Sequence, residues 1–238
     1  MDSQRAHHTI TSDGVILGAT VHGQGPPLVL LHGIENDGDL CWQEVLPHLT
    51  ERFTCHLLDN RGRGLSGDHP DLSIPRMAQD VVEYVASLGQ PVGLVGESFG
   101  GNLALIAAAR SNAVDAVVSF EPAIISLVGE QEQAVMGQAI AGMAELAEED
   151  DGPKVDDAAM LGELSVPVLV VMGADTRPFL ADSARFVVEH APRANLHEIP
   201  GAGHAAALTH PEALAEAITE FFLIARRSGE ERLTSMWN

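Results

Sequence analysis

The sequence predicts an α/β protein: a mostly parallel, twisted sheet with helices on both faces. Two observations carry that expectation. Short apolar runs of strand length alternate with longer stretches of helical period, the pattern of a sheet covered on both sides. The 238 residues, 45% of them hydrophobic, suit one large α/β domain with a sizeable core.

Taken in order, the strand-like runs are VILGATV, PLVLLHG, FTCHLLDN, VGLVGES, AVVSFEP, VPVLVVMGA and ANLHEIPG. Between them, IPRMAQDVVEYVASLG places Met77, Val81, Tyr84, Val85 and Leu88 on one helical face. GNLALIAAAR is apolar nearly all round, as a helix buried against a sheet must be. PEALAEAITEFFLIARR opens with a proline in its first turn and closes on arginines, both favourable at those ends. The alternation breaks from residue 123 to residue 164, where two helical stretches flank EEDDGPK. The expected organisation is therefore a core of residues 1–122 and 165–238, with 123–164 inserted as a small helical lid. The polar tail RRSGEERLTSMWN is expected to be loosely held.

Composition removes several function classes. The formal net charge is −21, with Lys154 the one lysine among thirteen basic residues. Such a surface repels nucleic acid and anionic membrane. The start MDSQRAHHTI lacks the apolar stretch of a secretory signal, and Glu216 and Glu220 interrupt the most apolar helix. Cys41 and Cys55 give neither a disulfide framework nor metal-ligand spacing, and the eleven histidines form no HExxH-like pair. The expectations are a cytoplasmic protein, free thiols, and no metal or cofactor.

The stretch VGLVGESFGGNLALIAAAR carries the chemistry. A GxSxG pentapeptide is weak on its own; here an apolar strand precedes it and a helix follows at once. Ser98 then sits in a sharp strand-to-helix turn, where Gly96 and Gly100 let the two elements approach closely and Gly101 helps the helix pack.

Six motifs in order, GPPLVLLHG, Trp42, LLDNRGRGLSG, GESFGG, VLVVMGAD and IPGAGH, span nearly the whole chain. In these the sequence resembles the α/β-hydrolase superfamily, which includes esterases, lactonases and carbon–carbon bond hydrolases. The resemblance implies the α/β-hydrolase fold, Ser98 as nucleophile and His204, in GAGH, as the general base that activates it. It also implies an acid to hold the imidazole. The usual position for that acid, after VLVVMG, is occupied by Thr176, with Asp175 one residue away. A second position used in the superfamily, just past the strand after the nucleophile helix, is filled by Glu121. Glu121 is preferred and Asp175 remains the alternative. Backbone N–H groups of Phe99 and Ile34 are expected to form the oxyanion hole. The adjoining Glu35, Asn36 and Asp37 either line the entrance or belong to a solvated loop. His32 is assigned to loop orientation, Asp59, Arg61 and Ser66 to fold stability, and His22, His56 and His197 to ordinary structural positions.

The implied activity is that of a cofactor-free serine hydrolase acting on an ester, lactone or related carbonyl compound. Ser98 excludes the relatives that need a carboxylate nucleophile, the haloalkane dehalogenases and epoxide hydrolases. A haloperoxidase-type activity with the same triad, and a small-molecule sensor on a hydrolase scaffold, are the alternatives. Ile124, Ile125, Leu127, Val128, Val135, Met136, Ile140 and Met143 either wall an apolar pocket or pack on the sheet. The expected partner is a small, fairly hydrophobic substrate.

Overall fold

In the computed structural model, residues 5–34, 36–127 and 155–235 are described. Eight strands form one sheet: β1 (Arg5–Ile10), β2 (Ile16–Gly23), β3 (Pro27–Leu31), β4 (Thr54–Leu58), β5 (Val92–Glu97), β6 (Val114–Phe120), β7 (Val168–Gly173) and β8 (Ala194–Ile199). Their order across the sheet is β1-β2-β4-β3-β5-β6-β7-β8. From β4 to β8 every pairing is parallel; β2 lies antiparallel to both β1 and β4.

The helices are α1 (Gly38–Trp42), α2 (Leu46–Leu49), α3 (Ile74–Ser87), α4 (Phe99–Arg110), α5 (Ala158–Gly162), α6 (Pro178–His190), α7 (Ala206–Thr209) and α8 (Pro211–Ser235). They cover both faces, and the core accordingly divides in two. On one face, α3, α4 and α6 contribute Val81, Leu103, Ala104 and Val187 to a cluster with Val29 and Leu94. On the other, Trp42 of α1, Leu49 of α2 and Leu214, Ile218 and Phe222 of α8 pack with Leu30 and Val95. β3 and β5, in the middle of the sheet, are buried at every residue. That burial is why their sequences are apolar without alternation.

The face assigned to α3 is the buried one, with Met77, Val81, Tyr84 and Val85 in the core and Leu88 half-buried against it. Two differences from the sequence reading stand out. β1 was not among the expected strands: it is an antiparallel edge strand, largely solvent-facing, and its His-His-Thr run carries little apolar signal. α8 continues to Ser235 through the stretch expected to be loose, which contains the good helix formers Glu230, Glu231, Arg232 and Leu233. Of the 123–164 segment, residues 128–154 lie outside the described residues, and with them Val128, Val135, Met136, Ile140 and Met143. Its described ends hold a short turn at Ile125–Leu127 and α5; Ala123, Ile124, Met160, Leu161 and Leu164 are buried in the core of the α4 face. Among the described residues, no helix is long and apolar enough to cross a membrane.

The loop after β4 does structural work. Asp59 accepts backbone hydrogen bonds from Gly38 (2.8 Å) and Leu65 (2.7 Å), and Ser66 Oγ donates to the Asp59 carbonyl (2.6 Å). Arg61 is fully buried and forks onto Asp80. His32 accepts from the Asn60 N–H through Nε2 (3.0 Å), which leaves Nδ1 to donate to the Gly33 carbonyl (2.7 Å). His56 is buried beside the Tyr84 hydroxyl, with Nδ1 2.9 Å from it.

Candidate active site

Ser98 follows β5 directly and caps α4 with φ 54° and ψ −115°. The bend has no room for side chains at its flanks. A Cβ on Gly96 would strike the Gly100 carbonyl, and one on Gly100 the Leu31 carbonyl. The chain is held there by Ser98 N–H donating to the Phe120 carbonyl (2.8 Å) and by Gly101 and Asn102 N–H donating back to the Ser98 carbonyl.

Among the described residues only one other non-glycine residue has a positive φ, and it is Glu121, at 47°. Its backbone N–H donates to the Val171 carbonyl (2.8 Å) on the neighbouring strand. An L-residue in this region costs about 1–3 kcal/mol, and such strain gathers at functional positions. Here it turns a carboxylate out of the end of β6, although the residue is fully buried. Glu121 Oε1 accepts from Gly173 N–H at 2.9 Å, and Oε2 lies 2.6 Å from His204 Nδ1. Both carboxylate oxygens are thus matched, as burial of that charge requires.

His204 comes from the loop between β8 and α7, with its side chain 40% exposed. Its ring lies nearly parallel to that of Phe120, with centroids 6.4 Å apart. Burial works against protonating the imidazole. The hydrogen bond to Glu121 and the charges of Glu97 and Glu121 outweigh it, so His204 holds its proton above the usual histidine range; Arg177 opposes them. Nε2 faces Glu97, whose Oε1 is 3.7 Å away. Among the described residues no hydrogen bond joins Ser98 Oγ to His204.

Both Ser98 and His204 line a cavity of about 630 Å³. Ile34 lines it too, and Phe99 is the first residue of α4, where backbone N–H groups lack partners within the helix. Asn36 reaches the cavity, Asp37 instead caps α1 by accepting from Leu40 N–H (2.8 Å), and Glu35 lies outside the described residues. Ile125 is in the lining, while Ile124 is buried in the core. The two candidate acids differ in their contacts. Asp175 is exposed, and it is tied to the His204 loop by its backbone, whose N–H donates to the Ala202 carbonyl (2.8 Å). Thr176 presents a buried hydroxyl without a hydrogen-bond partner among the described residues.

Sequence reasoning missed Glu97, Cys41 and Arg177, all in the cavity lining. A glutamate closing an apolar strand, next to Ser98, was a legible signal. Cys41 and Arg177 reach the cavity from α1 and from the cap of α6, which only the fold brings together. Among the described residues, no group of three or more His, Cys, Asp or Glu side chains is placed to hold a metal ion.

Comparisons with known proteins agree with this architecture. The chain is 37% identical over 107 residues to a soluble epoxide hydrolase of Corynebacterium sp. (strain C12); the match covers 44% of this chain and 37% of that protein. It is 28% identical over 246 residues to a pimeloyl-[acyl-carrier protein] methyl ester esterase of Chromobacterium violaceum, covering 83% of this chain and 94% of the esterase. The crystal structure of an alpha/beta hydrolase from Sphaerobacter thermophilus DSM 20745 superposes with a TM-score of 0.70 at 23% identity, over 91% of this chain and 100% of that one. A sequence profile of the alpha/beta hydrolase fold matches residues 26–154, more than half of the chain. With that match, and with a sheet and helices arranged as in the superposed hydrolase, the chain belongs to the α/β-hydrolase family.

Proposed function

We propose that the protein is a serine hydrolase, working without a cofactor, that cleaves an ester, a lactone or a related carbonyl compound through an acyl-enzyme. Ser98 is the nucleophile, His204 the general base and Glu121 the acid that orients it. The observation carrying this reading is the 2.6 Å contact between His204 Nδ1 and the fully buried Glu121, beside a serine held in a strained turn on the same cavity.

In the first half-reaction His204 Nε2 takes the proton of Ser98 Oγ as Oγ bonds to the substrate carbonyl carbon. The carbonyl oxygen becomes an oxyanion, held by the N–H groups of Phe99 and Ile34. Glu121 fixes the tautomer with its proton on Nδ1 and stabilises the imidazolium formed. The imidazolium then protonates the leaving alcohol or, in a lactone, the ring oxygen. Water enters, gives its proton to His204 and attacks the acyl carbon, and the proton returns to Ser98 as the acid departs. Ile34, Leu40, Phe179 and Leu208 in the cavity lining favour a fairly hydrophobic acyl or alcohol portion. The esterase name of the Chromobacterium relative supports ester cleavage, and Ser98 speaks against the epoxide chemistry named for the Corynebacterium one.

The test combines labelling with turnover. A fluorophosphonate should modify Ser98, and nitrophenyl esters of graded chain length, with lactones beside them, should be hydrolysed. Ser98→Ala should lose the label and about 10⁴–10⁶-fold in turnover. Near-normal turnover in that variant overturns the mechanism, and an unlabelled wild-type protein points to a binding role.

A further inference from the structure

One buried carboxylate of the cavity has no part in that mechanism. Glu97 closes β5 directly before Ser98, with its side chain only 11% exposed. Its Oε2 accepts from the Cys41 thiol at 3.7 Å and the backbone of Gly33 also bonds to the carboxylate; a Cβ at Gly33 would collide with Oε2. The pocket for this side chain is thus shaped by Cys41 and by the absence of a side chain at position 33. Its other oxygen, Oε1, points at His204 Nε2 from 3.7 Å. The imidazole therefore lies between two carboxylates, Glu121 on Nδ1 and Glu97 toward Nε2.

Nε2 is the atom that must receive the proton of Ser98, so what faces it at rest decides whether the base is free. We propose that Glu97 is a positioning residue whose proton binding is coupled to that of His204 across this ion-pair distance, and that the protonated imidazole is held between Glu97 and Glu121, unavailable to Ser98. The inference rests on the reading of His204 as general base. The proton comes from solvent and returns to it; its loss leaves a lone pair on Nε2 that can accept from Ser98 Oγ.

The surroundings favour coupled over independent titrations. Burial raises the affinity of Glu97 for a proton, His204 and the bonds from Cys41 and Gly33 lower it, and the charge of Glu121 raises it again. The groups facing the pair are Cys41 from α1, Glu121 from the end of β6 and Arg177 from the cap of α6, with Asp37 acting on Cys41. Burial pushes the Cys41 thiol so far up that it stays neutral across the working range. Each of the two groups shifts the proton affinity of the other, and where such an interaction is strong the apparent midpoints belong to the pair.

Imidazole ¹⁵N and glutamate carboxyl ¹³C signals, followed by NMR across pH, read this without any turnover. The His204 and Glu97 signals are assigned by their loss in His204→Asn and Glu97→Gln. In the wild-type protein the two should move together through a common midpoint. In Glu97→Gln the imidazole midpoint should fall by about one pH unit, as expected for loss of an opposite charge at this range. The acid limb of kcat/KM for a nitrophenyl ester should fall with it, while Glu97→Asp, which restores the charge, should return the midpoint toward the wild-type value. An unmoved imidazole midpoint in Glu97→Gln overturns the proposal. So does a wild-type Glu97 signal that titrates alone in the ordinary carboxylate range; assigned through sequential backbone connectivities in the wild-type protein, that measurement stands even if neither variant folds. A coupled titration in a protein that hydrolyses no ester would retain the coupling of the two groups and reject the hydrolase reading instead.

Discussion

Glu121 Oε2 lies 2.6 Å from His204 Nδ1, while its partner oxygen Oε1 accepts the Gly173 N–H at 2.9 Å. One carboxylate thereby bridges β6, β7 and the loop after β8. This bidentate role gives Glu121→Gln a sharp expected outcome. The amide oxygen can keep the Gly173 bond, so the fold should survive. The amide nitrogen then faces Nδ1 and donates to it, which puts the imidazole proton on Nε2, the wrong tautomer for a base. Loss of kcat by about 10⁴-fold is expected, with an unfolding midpoint close to wild type. Asp175→Asn should leave kcat unchanged. Steady-state kinetics of both variants decide the matter; full activity in Glu121→Gln together with collapse in Asp175→Asn would transfer the role to Asp175.

The sheet and the serine turn were legible because their signals are local. An apolar run, a glycine two residues to either side of Ser98, and a helix starting at once each follow from the sequence around one point. The position of Glu121 was legible only by resemblance, since its partner is 83 residues away and the strained φ that aims it leaves no compositional trace. Arg177 was illegible for a related reason. Before the fold exists, nothing distinguishes an arginine at the cap of α6 from any other surface arginine. β1 failed in the opposite direction: an edge strand exposed to water need not be apolar, so the period that betrays β3 and β5 is absent there.

Arg177 bears on pH dependence with a definite sign. Its charge disfavours the protonated form of His204, whereas those of Glu97 and Glu121 favour it. Removing the cation lets the imidazole keep its proton to higher pH, and a protonated base cannot activate Ser98. Arg177→Ala should therefore move the acid limb of kcat/KM to higher pH, opposite to the change expected for Glu97→Gln. Because Arg177 is exposed, the displacement should shrink as salt is added. Profiles at low and high ionic strength measure it; a limb displaced toward lower pH contradicts the assignment.

Stability should depend most on charges far from the cavity. Arg61 is wholly buried, and its guanidinium reaches Asp80 twice (2.6 and 2.8 Å), Asp13 (2.9 Å) and the Asp71 carbonyl (2.9 Å). Arg61→Met would leave Asp80, whose side chain is only 5% exposed, with Arg76 (2.8 Å) as its remaining cation among the described residues. Breaking one side of a buried pair costs about 3–5 kcal/mol, and the surviving Arg76 contact places this variant toward the lower end. Replacing Asp80 by Leu in the same chain removes the stranded charge and should restore part of the loss. The network also has a pH signature. The Thr11 hydroxyl, with Arg61 and Arg76, holds the Asp13 carboxyl well below the usual carboxylate range. A depressed folded-state pKa contributes stability above the unfolded value, and that contribution is lost as the pH falls toward the folded one. The urea midpoint should consequently decline on acidification through the carboxylate range, and less steeply in Asp13→Asn. Equal slopes in the two proteins would mean that Asp13 contributes nothing to the acid sensitivity of the fold.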